Sequence, residues 1–146
     1  MSRQHRILVV DDVAQNRLLL GGMVKSIGYE VDTASHGLEV LAKLADGIDL
    51  VLLDVMMPGL DGFEVVRRIR SNATFHDLPV IMVTALDSRE DRVRSVEAGA
   101  SDFIAKPVDR SELRVRIDLQ LQLKDARDEI RRCRAEIAAL SAKIKS

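Results

Sequence analysis

Three short, unbroken apolar runs punctuate the chain. Residues 7–10 (Ile-Leu-Val-Val) run into two acids, Asp11 and Asp12. Residues 50–53 (Leu-Val-Leu-Leu) run into Asp54, and residues 80–83 (Val-Ile-Met-Val), opened by Pro79, close on Thr84. Runs this short, with no polar position inside them, are the pattern of strands covered on both faces. Weaker strand signals lie at 29–34 and 102–105. Between the runs the period becomes helical. Residues 13–27 put Leu19, Met23 and Ile27 on one face and stop at Gly28, and residues 38–45 stop at Gly47. Residues 62–70 align Phe63, Val66 and Ile69, and Ser88 opens 89–98 ahead of Gly99. Five strand–helix units in alternation predict an α/β fold: a doubly wound, five-stranded parallel sheet with right-handed crossovers and helices on both faces.

Beyond Asp109 the pattern changes. Residues 111–146 contain no Gly, no Pro and no strand signal, which predicts one long helix. Leu113, Ile117 and Leu121 share a face that packs on the sheet. A second stripe then takes over: Leu119, Leu123, Ala126, Ile130, Cys133, Ile137, Leu140 and Ile144 alternate steps of four and three. That is a heptad seam, with Leu123, Ile130, Ile137 and Ile144 at a and Leu119, Ala126, Cys133 and Leu140 at d. β-Branched residues at a with Leu at d favour a parallel dimer, and Glu129 at g faces Arg134 at e′. Ala126 and Cys133 weaken the centre of the seam, which suits a signalling helix more than a rigid strut. The competing expectation is a helix docked on its own or another domain. The expected division is 5–120 for the α/β domain and 121–146 for a coiled-coil extension.

Composition narrows the function classes. A net charge of −1 over 146 residues argues against nucleic-acid binding by bulk charge. No apolar run approaches the roughly 18 residues of a membrane helix, and four apolar residues after a basic start are too few for a signal peptide. A single cysteine excludes an internal disulfide framework and points to a reducing cytoplasm. Cys133 itself, with no His or second Cys beside it, reads as a buried seam residue. With 3% aromatic residues and no Trp, base stacking and aromatic cages are not expected.

The strand ends carry the chemistry, because sites in such sheets lie at the carboxyl ends of the strands. Asp11 and Asp12 end the first strand, Asp54 the third, Thr84 the fourth and Lys106-Pro107 the fifth. One strand-end Asp is ordinarily a helix cap or turn former, and a lone lysine a solvated one. Three carboxylates, a hydroxyl and a lysine ending neighbouring strands converge on one crevice. Clustered carboxylates repel unless a cation sits among them, and hard oxygen ligands of this number suit Mg²⁺. Asp54 could then act as a nucleophile and form an acyl phosphate, with Lys106 offsetting phosphoryl charge and Thr84 donating to a phosphoryl oxygen. Sulfur is a poor partner for Mg²⁺, so the Met56 and Met57 side chains are no metal site. His5, His36 and His76 share no motif and read as ordinary surface or core residues.

The motifs Ile-Leu-Val-Val-Asp-Asp (7–12), Leu-Leu-Asp-Val-Met-Met-Pro-Gly-Leu-Asp-Gly (52–62), Val-Thr-Ala (83–85) and Ala-Lys-Pro (105–107) resemble the receiver domain of two-component response regulators over about residues 5–120. The resemblance implies a flavodoxin-like sheet of order 2-1-3-4-5. It implies that Asp54 is the phosphoacceptor, and that Asp11, Asp12, Asp54 and the Met56 carbonyl hold Mg²⁺. Lys106 would pair with the phosphate, with Thr84 and Phe103 as the switch pair. Phe103 stands where Tyr is commoner, so a read-out through a Tyr hydroxyl is unavailable while a packing switch survives. The implied partners are a sensor histidine kinase or phosphotransfer protein and a second copy through the C-terminal helix, with no direct nucleic acid and no membrane. The chain would promote only its own phosphorylation and dephosphorylation. Output would come from dimerisation itself or from a domain absent here. The runs at 84–87 (Thr-Ala-Leu-Asp) and 98–103 (Ala-Gly-Ala-Ser-Asp-Phe) resemble receivers that precede cyclic-dinucleotide enzymes or phosphatases. The rivals are an Asp-nucleophile phosphatase, whose usual second acid is replaced by Met56, and a dinucleotide-binding domain, disfavoured because Asp11-Asp12 would repel a pyrophosphate. A phosphorylation-independent dimer scaffold is the third.

Overall fold

A computed structural model describes residues 4–86 and 88–145. Five parallel strands, β1 (Arg6–Val10), β2 (Glu30–Ala34), β3 (Leu50–Leu53), β4 (Val80–Thr84) and β5 (Asp102–Ala105), form one sheet of order β2-β1-β3-β4-β5. The helices are α1 (Ala14–Ile27), α2 (Gly37–Lys43), α3 (Gly62–Arg70), α4 (Arg89–Ala98) and α5 (Arg110–Lys145). The doubly wound, flavodoxin-like order expected from the motifs is therefore observed.

Strand alternation sorts the core into two layers. Leu8, Val10, Val51, Leu53, Val80 and Met82 face α2, α3 and α4, packing on Val40, Phe63, Val66 and Ile69. Ile7, Val9, Leu50, Leu52, Ile81 and Ile104 face α1 and α5, packing on Leu20, Val24, Leu113, Ile117 and Leu121. The apolar runs have no polar position because both strand faces are covered.

Several local expectations shift. The buried face of α1 is Leu20, Gly21 and Val24. Leu19 is 64% exposed, and Met23 and Ile27 are half-buried. Leu18, Leu19 and Leu20 are consecutive, so the apolar period alone does not choose among neighbouring faces. The second helix begins at Gly37, where His36 Nδ1 accepts from the Glu39 N–H at 3.3 Å, and closes in a 3₁₀ turn, Leu44–Asp46. Thr84 is the last residue of β4 rather than its stop, and Val13 is the N-cap of α1 rather than its first residue. α4 opens with the capping box of Ser88 and Asp91 and stops at Gly99 in the left-handed region. It buries only Ser95 and Ala98. Two arginines hold it instead: Arg92 lies 5.6 Å from the Phe103 ring centre and Arg94 lies 4.3 Å from that of Phe63.

α5 runs unbroken for 36 residues. Leu113, Ile117 and Leu121 are buried against the sheet as expected, while seam positions are open, from 42% exposure at Leu123 to 84% at Ile144. Cys133 is likewise exposed in the single chain. No helix among the described residues is long and apolar enough to cross a membrane.

Candidate acidic phosphoryl site

β1 and β3 are paired at the centre of the parallel sheet and β5 is its edge strand beyond β4, and their carboxyl ends deliver Asp11, Asp12, Asp54 and Lys106 to one crevice. Carboxylate oxygens of Asp11, Asp12 and Asp54 lie within 4.8 Å of one another. Asp11 and Asp54 are buried and Asp12 is exposed at the mouth. Lys106 Nζ bridges the two buried acids, 2.8 Å from Asp11 Oδ2 and 3.4 Å from Asp54 Oδ2. Among the described residues this is the group of acids that could hold a metal ion. Two buried carboxylates and an open third, all hard oxygen donors, fit a small divalent cation that keeps part of its water shell.

The two buried acids are held differently. Burial raises the Asp54 carboxyl above the ordinary carboxylate range; Lys106 opposes this and the Asp11 charge adds to it. Asp11 is also penalised by burial, yet Lys106, the Val13 N–H and Asn16 outweigh that penalty and hold it below the ordinary range. Asp11 Oδ1 accepts from Val13 N–H at 3.0 Å and from Asn16 Nδ2 at 3.5 Å, while Arg17 Nη1 donates to the Asp11 carbonyl at 2.7 Å. Burial lowers the Lys106 ammonium, but its two carboxylate partners more than reverse this and raise it. Asp54 therefore keeps the weaker hold on the lysine, and one of its oxygens is committed only to the Met56 N–H at 3.3 Å. The Lys106–Pro107 peptide is cis.

Thr84 is fully buried; its Oγ1 accepts from the Leu86 N–H at 3.3 Å, and its carbonyl accepts from the Lys106 N–H at 2.9 Å. The switch candidate is thus tied by backbone to the lysine. Phe103 is half-buried beneath Arg92. The Met56 side chain is 63% exposed. The run at 84–87 is described as far as Leu86; Asp87 lies outside the described residues.

Sequence reasoning missed Asn16, Arg17 and Gly62. The first two are polar residues on the first turns of a helix, indistinguishable in one sequence from solvated ones. Gly62 opens α3, donates its N–H to the Val55 carbonyl at 2.9 Å, and lies so close that a Cβ there would sit 2.5 Å from the Asp54 carbonyl oxygen.

Comparison with known proteins agrees with this fold. The family described as response regulator receiver domain matches residues 7–118. The response regulator PleD of Caulobacter vibrioides is 46% identical over 127 residues, covering 86% of this chain and 28% of PleD. The transcriptional regulatory protein ResD of Bacillus subtilis is 42% identical over 122 residues, covering 83% of this chain and 50% of ResD. The chain thus spans between about a quarter and a half of these curated relatives. Among solved structures, the Vibrio cholerae chemotaxis protein CheY4 superposes with TM-score 0.74 at 31% identity, covering 80% of this chain and 98% of that one. The receiver domain of a putative LuxO repressor protein from Vibrio parahaemolyticus superposes with TM-score 0.80 at 26% identity, covering 88% and 98%.

Proposed function

The chain belongs to the response regulator receiver domain family, and from that premise we propose that it takes a phosphoryl group from a histidine kinase or phosphotransfer protein onto Asp54. The observation that carries this reading is the Lys106 bridge between Asp11 and Asp54 at the carboxyl ends of the strands. An Asp54 carboxylate oxygen attacks phosphorus, the bond from phosphorus to the donor's imidazole nitrogen breaks, and its electron pair returns to the imidazole. Asp11, Asp12, Asp54 and the Met56 carbonyl would hold Mg²⁺, which when bound offsets charge on the transferring oxygens. Lys106 shifts from Asp11 toward the new phosphoryl oxygens, and the Thr84 hydroxyl turns from the Leu86 N–H to donate to one of them. Phe103 then follows Thr84 by packing alone, since it has no hydroxyl. Beyond this cycle we assign the chain no turnover.

The decisive test is intact mass after incubation with acetyl phosphate. One phosphate is expected with Mg²⁺ and none in EDTA, and Asp12→Ala is expected to lose both metal binding and phosphate uptake. Full uptake in EDTA would overturn the metal assignment. The lifetime of the phosphoryl group follows from two side chains. The residues two past Asp54 and Thr84 are Met56 and Leu86, which line one groove with Phe63 and Arg94. Neither offers a hydrogen bond to an attacking water. The phosphorylated form is expected to outlast seconds by a wide margin, and radiolabel decay within seconds would contradict it.

We further divide the chain at 5–120 and 121–146 and propose that the second part pairs two copies in parallel. Three observations support this. The seam is exposed in the single chain, the buried stripe Leu113-Ile117-Leu121 lies on the opposite side of the same helix, and Glu129 stands at the spacing for Arg134 of a second copy. α5 can therefore keep its own domain on one side and accept another α5 on the other.

A further inference from the structure

The side of α5 that faces the sheet changes character along its length. Leu113, Ile117 and Leu121 are apolar; the same stripe continues as Lys124, Asp128 and Arg131. The change falls where the sheet ends. α5 starts beside the acidic site and runs down to the amino-terminal ends of the strands, the opposite rim of the sheet. There its charged residues meet the segments that lead into the strands. Lys124 Nζ lies 3.8 Å from Asp49 Oδ1, just before β3. Arg131 Nη2 lies 2.5 Å from Asp77 Oδ2, three residues before β4. Asp125 lies 3.2 Å from His5 Nε2, just before β1. Lys124 and Arg131 are joined through Asp128, at 2.9 and 3.5 Å.

Exposed ion pairs contribute little singly. Asp49 differs, because it is 3% exposed and accepts the Arg6 N–H at 2.8 Å. A buried carboxylate needs its partners, so the Lys124 ammonium beside it anchors α5 at that turn. Asp77 is only half-buried, yet the Arg131 hydrogen bond and charge outweigh its burial and hold its carboxyl below the ordinary range. Arg131 sits one heptad past Lys124 and only two residues before the seam position Cys133.

We propose that Lys124, Asp125 and Arg131 strap the first turns of the coil to the amino-terminal rim of the sheet, and that the Asp77–Arg131 pair carries the state of β4 to the dimer seam. β4 is the strand that ends in Thr84, so a shift of Thr84 at one end of β4 moves Asp77 at the other. Because strap and seam lie on opposite sides of α5, a displaced strap turns the seam about the helix axis. This rests on the phosphoacceptor and parallel-dimer reading above. It adds a second route to the output helix, distinct from the helix's apolar packing on the sheet. Ala126 and Cys133 make the seam weakest along this strapped stretch, where a small rotation changes pairing most.

Cys133 serves as the probe, since its two copies lie opposite one another at d. Disulfide yield with diamide is measured with and without acetyl phosphate and Mg²⁺ in the full chain, in Asp77→Arg, in Arg131→Asp and in the double charge reversal. The native chain is expected to give different yields in the two states. Each single reversal should abolish the difference, and the double should restore it. A difference that survives both single reversals, or equal yields in the native chain when intact mass shows phosphate bound, overturns the strap. A monomeric mass throughout overturns the seam instead. The strap is then judged by amide exchange across residues 122–132, where a several-fold rise in each single variant and recovery in the double is expected, and unchanged exchange refutes it. Failure to take up phosphate at all sinks the phosphoacceptor reading, and the same exchange comparison still decides the strap.

Discussion

Asp54→Asn is expected to take up no phosphate from acetyl phosphate with Mg²⁺, while folding as well as the native chain. The amide is close to isosteric with the carboxylate, and its oxygen can keep the Met56 N–H that Asp54 now accepts. What it loses is the proposed nucleophile. Asp11 shares the buried strand-end position, the neighbouring acids and the lysine, but it is the more tightly held of the two: its Oδ1 accepts from the Val13 N–H and Asn16 and its Oδ2 takes Lys106 at 2.8 Å, against 3.4 Å for Asp54. The consequence for stability runs opposite to that for function. Burial and the Asp11 charge raise the Asp54 carboxyl, so its ionised form is disfavoured by folding. A carboxylate raised in the folded state binds more protons there than in the unfolded chain. Its contribution is therefore lost as pH rises from the ordinary carboxylate range through the raised value. Asn has no such loss. Thermal melts in EDTA should show the variant at least as stable as the native chain at neutral pH, with its advantage shrinking toward acid pH. Phosphate uptake by the variant to the native level would end the assignment of Asp54.

Gly62→Ala is the structural counterpart. The substitution would ordinarily favour a helix, by up to about 1 kcal/mol. Here the new Cβ would stand 2.5 Å from the Asp54 carbonyl oxygen and 2.8 Å from Val55 Cα, both backbone atoms that cannot swing aside. The clash wins. α3 must move away from β3, and the loop that carries Asp54 and Met56 moves with it. The expected cost is roughly 1–3 kcal/mol, with a melting temperature lower by about 5–10 °C and slower phosphate uptake. Gly22→Ala is the internal control. It lies within α1 with nothing within 4 Å of its added Cβ, so it should be neutral or stabilising by about 0.4–1 kcal/mol. Equal melting temperatures for the two variants would show that the close approach at Gly62 is not a constraint.

The strands and the acids at their ends were legible because the signals are local. An apolar run of four bounded by Asp reads as a buried strand wherever it sits, and Ser88 with Asp91, or Gly99 after Ala98, writes a helix end into neighbouring residues. The order of the strand-end residues, together with the family motifs, then placed Asp11, Asp12, Asp54 and Lys106 in one crevice, with Thr84 tied to Lys106 through its backbone. The apolar stripe along α5 was equally local, since its period is a property of one helix.

What the tertiary structure decided are relations between distant parts of the chain. Three consecutive leucines in α1 left its buried face open until the sheet selected Leu20 over Leu19. That Lys106 holds Asp11 more closely than Asp54, at 2.8 against 3.4 Å, depends on how three strands are staggered. Gly62 looks like any helix-opening glycine until the Asp54 carbonyl is brought against it. Asp49 and Lys124 are 75 positions apart and belong to no shared motif; they meet because α5 spans the sheet from the acidic site to the opposite rim. Periodicity and capping arise within a few residues of chain and are written in them. Pairing across the sheet depends on helix length, strand stagger and packing distance together, and no single segment contains those.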